Sequence, residues 1–149
     1  MPTNLSDELA TAICGTWARA RNERNLDLLD TIYDRGLVVH DCSAPDDIVG
    51  LESLKAYYAA THEGFPDFQC GFDDVLAARD LVISRWTCAG THTGVMRNLP
   101  PTGRRVRFSG VALSRVEGGL IVEEWVYFNV LDMMQQLGFS LAPAGMPER

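Results

Sequence analysis

Two adjacent glutamates open the segment VEEWVYFN (122–129), and apolar and aromatic side chains follow them. Successive side chains of a strand face opposite sides, so Glu123 and Glu124 cannot share one role. A carboxylate enclosed among Trp86, Phe108 and Phe128 would lose its water. Its pKa would then rise toward neutrality, which suits a general base. The competing reading sets Glu124 past the sheet rim, in water or paired with Arg107 or Arg115, as most glutamates are. Glu123 has the opposite parity and reads as an ion-pair or interface residue.

Other side chains could move a proton or hold a charge. His40 and Asp41 follow LVV at the end of a short strand. An imidazole there could exchange a proton near pH 7, or could be held by a loop backbone group. His92, in GTHTG, reads as a turn residue or a pocket residue. His62, late in a helix, reads as solvated or favoured by the helix dipole. Tyr58 could donate to a developing oxyanion, or pack in a core beside Tyr57. Trp17, Phe65, Trp86 and Phe108 could line a pocket or fill the interior. GLESL lacks the nucleophile-elbow spacing, and no phosphate loop or GxGxxG is present. Cys14, Cys42, Cys70 and Cys88 are isolated, without the close pairing of zinc ligands. They read as reduced thiols of a cytoplasmic protein with no metal and no cofactor.

The elements that must position these groups fall in two blocks. NLSDELATAICGTWARARN reads as a helix with a Ser6 cap and with Leu9, Ile13 and Trp17 on one face. LDLLDTIY reads as a second, shorter helix, LVVHDC as a short strand and SAPDDIVG as a loop. LESLKAYYAATHEGF reads as a third helix, with Leu51, Leu54, Tyr58 and Thr61 on one face, ended by Pro66. From Phe68 the period becomes two, giving three or four long antiparallel strands that end in LIVEEWVYFNVL. Three helices followed by strands is an α+β order in a single domain, 1–149. Residues 139–149, rich in Ala, Pro and Gly, read as a loose tail.

The long strands are apolar on both faces, and helices that precede the sheet can cover only one. Val111, Leu113, Trp125 and Tyr127 share the other face, with Arg107, Arg115 and Glu123. A second copy of the chain is the simplest cover, so a homodimer is expected. The 149 residues suffice for a real core, and 46% apolar with 22% charged residues is an ordinary globular balance. A net charge of −7 argues against nucleic acid and anionic membranes as partners. No segment reads as a signal peptide or membrane span.

Three motifs, GTHTGVMRNLPPTGRRVRFSG (90–110), GGLIVEEWVYFNVLDMMQQLG (118–138) and, more weakly, GLESLKAYYAATHEGFPDF, resemble the SnoaL-like polyketide cyclase family. This family lies within the NTF2-like and ketosteroid-isomerase-like superfamily, and the resemblance spans about residues 7 to 138. It implies a cone-shaped α+β barrel: three N-terminal helices on a curved antiparallel sheet, enclosing a pocket for a small hydrophobic ligand. It also implies isomerisation, dehydration or cyclisation, usually without a cofactor. The cyclases carry an acid/base aspartate directly after the position matching Trp125, and a second acid three residues on. Here those positions are Val126 and Asn129, and a polar strand residue of the cyclases matches Ala112. Valine cannot transfer a proton. Glu124 shares the parity of Val126, which makes it the nearest pocket carboxylate. His40 and Asp41 fall at the pocket mouth by the same resemblance. The expected catalytic set is therefore His40, Asp41 and Glu124. The expected substrate contacts are Trp17, Tyr58, Phe65, Trp86, His92, Phe108, Ala112, Val126 and Asn129.

Overall fold

Helix α1 (Asp7–Asn22) starts where Ser6 accepts a hydrogen bond from the Leu9 amide at 3.0 Å, with Asp7 and Glu8 in the first turn. The structure is a computed structural model and describes residues 4–145. The buried face of α1 is Ala10, Ile13, Cys14, Ala20 and Arg21, while Leu9, expected inside, is exposed.

The segment expected as a second α-helix forms only a 3-10 turn, Leu26–Thr31. So short a piece cannot offset helix nucleation, and the aromatic and β-branched residues after it favour extended chain. Strand β1 (Tyr33–Asp41) thus begins four residues before the expected LVVHDC strand. The expected loop contains a two-residue strand, β2 (Ile48–Val49). Helix α2 (Leu51–Gly64) buries Leu51, Leu54 and Tyr58. Strands β3 (Gln69–Ala78), β4 (Leu81–Thr91), β5 (Arg105–Glu117) and β6 (Leu120–Phe128) follow. A last helix, α3 (Val130–Gln136), takes over where the final strand was expected to continue. Of the expected tail, residues 139–145 are exposed and without helix or strand, and 146–149 lie outside the described residues.

The sheet order is β2-β1-β6-β5-β4-β3. The β1–β6 pair is parallel, so the sheet is mixed rather than antiparallel throughout. A parallel partner needs a crossover, and residues 42–119, about half of the chain, lie between these two strands. The sheet curves but does not close, since β2 and β3 remain as edges. Register shifts interrupt the β1–β6, β3–β4 and β5–β6 ladders. Such shifts bend strands and add twist.

Two clusters form the core. One gathers Ile13, Leu29, Leu37, Leu54 and Val82 beneath the helices. The other gathers Phe65, Phe68, Trp86, Cys88 and Val106. Trp17, Phe72 and Val126 pack against both. No helix is long and apolar enough to cross a membrane among the described residues.

Candidate active site

A cavity of about 310 Å³ is lined by members of both clusters. Its wall is mostly apolar, including Ile13, Phe65, Trp86, Phe108 and Val126, and its volume suits a small organic molecule. Val126 faces it opposite Ala112, its cross-strand partner, so the position expected to match the cyclase acid is apolar and has an apolar neighbour.

Glu124 faces the same cavity and is 5% exposed. Two neighbouring strands place its partners. Ser114 stands directly across from it on β5, and its hydroxyl donates to Oε2 at 2.6 Å. Tyr33, at the start of β1, donates its hydroxyl to Oε1 at 3.0 Å. Burial pushes the Glu124 pKa up, the two hydrogen bonds pull it back, and the charge of Asp41 adds a further upward push. The Tyr33 hydroxyl is held well above the ordinary tyrosine range, by burial first and by the Glu124 charge next. Cys14 is pushed up to about 12 by the same two causes.

Tyr58 completes the polar part of this wall. Its hydroxyl accepts from Trp17 Nε1 at 3.1 Å and stands against the Tyr33 hydroxyl, so the phenol has a proton to donate within this wall. Burial and the Glu124 charge raise its pKa, so the phenol stays protonated at neutral pH. Asp41 lines the cavity at the far end of β1, where its Oδ1 accepts from the Ser43 amide at 2.8 Å and the Ser43 hydroxyl at 2.6 Å. That hydroxyl lies 3.1 Å from Tyr57.

Three of the expected site residues lie outside the cavity lining. His40 precedes Asp41 in a strand, so the two face opposite sides. His40 points outward, with Nδ1 2.8 Å from Asp47 and Nε2 2.8 Å from Glu123, and it stacks on Trp125. Hydrogen bonds to Glu123 and then Asp47 raise its pKa. A histidine raised on folding stabilises the fold below its unfolded value of 6.5, and loses that contribution as pH rises through the folded value. His40→Gln is therefore expected to lower Tm at pH 6 and to lose that effect at high pH, as read by thermal melts.

His92 is fully buried behind Phe65, and its Nδ1 accepts from the Thr102 amide at 3.2 Å, which ties down the loop that follows β4. Asn129 is the N-cap of α3, accepting from the Asp132 amide at 2.9 Å. The remaining expected residues, Trp17, Tyr58, Phe65, Trp86, Phe108, Ala112, Val126, Asp41 and Glu124, all line the cavity. His62, expected in solvent, is instead partly buried and accepts from Arg21. Tyr33, Ser114 and Arg21 were not anticipated. Ser114 has the parity of Ala112, and Arg21 follows Trp17 by four residues on the expected helix face, so both were within reach of the pattern. Among the described residues no three His, Cys, Asp or Glu side chains gather as metal ligands.

A curved, unclosed sheet with helices over one face and a cavity between is the NTF2-like, ketosteroid-isomerase-like fold. The chain belongs to the SnoaL-like polyketide cyclase family, whose model matches residues 11–137. No curated protein matches it in sequence. Among solved structures it is similar to IdmH of Streptomyces antibioticus, described as a candidate polyketide cyclase. Identity is 28% over 87% of this chain and 99% of that one, with a TM-score of 0.75. AclR of Streptomyces galilaeus, described as a candidate hydroxylase, is 25% identical over 93% of this chain and 87% of that one, with a TM-score of 0.77. A protein of ketosteroid isomerase-like fold from Catenulispora acidiphila, solved with trimethylamine, shares the fold at 19% identity. That match covers 88% of this chain and 97% of the other, at a TM-score of 0.73.

Proposed function

We propose that the protein is a cofactor-independent enzyme that moves protons on a small hydrophobic, polyketide-like carbonyl compound. The reaction is of the isomerase, dehydratase or cyclase type. The observation that carries this reading is Glu124: a carboxylate enclosed in an apolar cavity and held by Tyr33 and Ser114. Each carboxylate oxygen keeps a lone pair beyond the one hydrogen bond it accepts. Glu124 takes a proton from the carbon beside the substrate carbonyl, and the C–H electron pair shifts to form an enolate. Tyr58 donates a hydrogen bond to the enolate oxygen. In a β,γ-unsaturated substrate the enolate is a dienolate, and the proton on Glu124 then returns to its γ-carbon, which moves the double bond into conjugation with the carbonyl. Alternatively the enolate carbon attacks a second carbonyl, and Glu124 gives its proton to the new alkoxide, which closes a ring. Asp41 stands as a second cavity carboxylate. His40 has no part, since its ring faces away.

The test is hydrogen–deuterium exchange at the α-carbon of 2-tetralone in D2O, followed by NMR. Catalysed exchange above the buffer rate supports the reading, and its absence across a panel of bicyclic ketones that bind the cavity would sink it. The second reading is a binding module without catalysis. Val126 and Ala112 favour it, because they leave the family's acid position apolar. Tight binding with no exchange is its signature.

Removal of the Tyr33 hydroxyl tests the electrostatics. Its hydrogen bond lowers the Glu124 pKa, so Tyr33→Phe raises it. The limb of the pH–rate profile that reports carboxylate formation is expected to move to higher pH, and a shift to lower pH would contradict the assignment.

The single domain acts as a cytoplasmic homodimer in this proposal. On the outer sheet face Val111 and Tyr127 are exposed, and Leu113 and Trp125 lie beside them, partly covered. The ion pairs of Glu123 with Arg115 and His40 border this patch. Trp125→Glu places a charge there, and light scattering is expected to show monomers. A monomer for the unmodified protein at micromolar concentration would overturn the dimer.

A further inference from the structure

We infer that the cavity binds a hydrophobic molecule bearing a carboxylate, and that the Arg21 guanidinium receives that group. The substrate of the proposed proton transfer is then an acid, and in that clause the inference rests on the reading above.

Arg21 follows Ile13 and Trp17 at intervals of four on α1, which turns it to the cavity. It is 4% exposed. Its guanidinium carbon lies 3.8 Å from the centre of the Tyr58 ring, 4.6 Å from Phe68 and 5.1 Å from Trp17. Three aromatic faces therefore hold the cation in place. Nε donates to His62 Nε2 at 3.2 Å. Burial, then the charges of Arg21 and Arg24, lower the His62 pKa to about 3, so this partner is neutral and supplies no countercharge.

Among the described residues no carboxylate forms an ion pair with Arg21, and Nε makes its only side-chain hydrogen bond. The two terminal nitrogens are not sealed into the wall either, since among the described residues the one fully enclosed and unpartnered side-chain polar atom is His92 Nε2. A buried, pre-oriented guanidinium thus presents unused donors to an apolar cavity. A buried charge without a partner is costly, and a ligand carboxylate supplies the partner in the two-pronged geometry that a guanidinium favours. Away from Glu124, Asp41 and their hydrogen-bond partners, and from Arg97, the wall is mostly apolar and aromatic, which fits a hydrocarbon body. The chain's net charge of −7 would otherwise repel an acid, so the attraction has to be local. Arg21 and Glu124 line the same cavity, so an acid anchored at the cation sets its body in the space that the carboxylate faces.

A purely structural Arg21, serving only to hold the aromatic rings, is the competing account. Calorimetric titration with 2-naphthoate and with its neutral isostere 2-naphthamide separates the two. The unmodified protein is expected to bind naphthoate at least about tenfold tighter than naphthamide at pH 7. Arg21→Met is expected to bind both alike, with naphthamide unchanged. Arg21→Lys, which keeps the charge and most of the stem, carries the test if the methionine variant fails to fold. It is expected to lose about threefold or more on naphthoate alone. Affinities for the two probes within about twofold in the unmodified protein would overturn the inference. So would an equal loss of both probes in either variant, which is the structural outcome. Glu124→Gln is expected to keep the preference for naphthoate. An intact preference without α-exchange on any ketone would sink the proton-transfer reading and leave this one standing. Exchange without the preference would do the reverse.

Discussion

Glu124→Gln is expected to lower the rate of α-proton exchange by about 10²–10⁴-fold, the usual contribution of a positioned general base. The amide is nearly isosteric, and the Ser114 hydroxyl can turn to accept from it, so the cavity stays formed. A second effect has the opposite sense. Burial raises the folded-state pKa of Glu124 above its unfolded value of 4.5. The unfolded chain therefore releases this proton first, and the fold loses stability as pH rises from 4.5 through the folded value. Glutamine does not titrate. The variant should melt at the same temperature as the unmodified protein at pH 4 and above it at pH 8. Each kcal/mol gained corresponds to about 2–4 °C for a domain of this size. Full activity in the variant, or a melting difference that shrinks with rising pH, would remove Glu124 from the centre of the account.

The second large effect is structural. Gly94 lies where the chain leaves β4, and its amide donates to the Gly64 carbonyl at the end of α2 at 3.1 Å. A Cβ at this position would stand 1.9 Å from the Glu63 carbonyl oxygen. That neighbour is backbone and cannot swing away, so Gly94→Ala must push the following loop off α2. The loop carries Met96, Arg97 and Leu99 to the cavity wall. The expected cost is about 1–3 kcal/mol of stability, as for overpacking elsewhere, with weaker ligand binding in addition. Chemical denaturation reads the first and titration with a cavity probe the second. Unchanged values of both would show that the loop does not cover the cavity.

The sequence pattern carried the sheet further than it carried the site. Alternation along 122–129 placed Glu124 and Val126 on one side and Trp125 and Tyr127 on the other, and the burial of Glu124 and exposure of Tyr127 follow that division. Alternation also separates His40 from Asp41, but choosing which of them faces inward needs the register of β1 against β6. That pairing joins residues far apart in the chain and leaves no local trace. Tyr33 was hidden for a related reason. LDLLDTIY has helical spacing, and only tertiary packing makes its end extended and brings the phenol 91 residues across to Glu124. Arg21 was masked by its residue type, since arginines seldom lie inside a fold. Asn129 matched a family acid by position, yet the chain turns into α3 there and uses the side chain as a cap.

The most direct test of the central claim is a carbon-13 NMR titration of the Glu124 carboxyl group, assigned by its loss in Glu124→Gln. The account predicts ionisation above the ordinary glutamate value of 4.5, in register with the rise of α-exchange activity. Ionisation at or below that value, or a titration unrelated to activity, would contradict it.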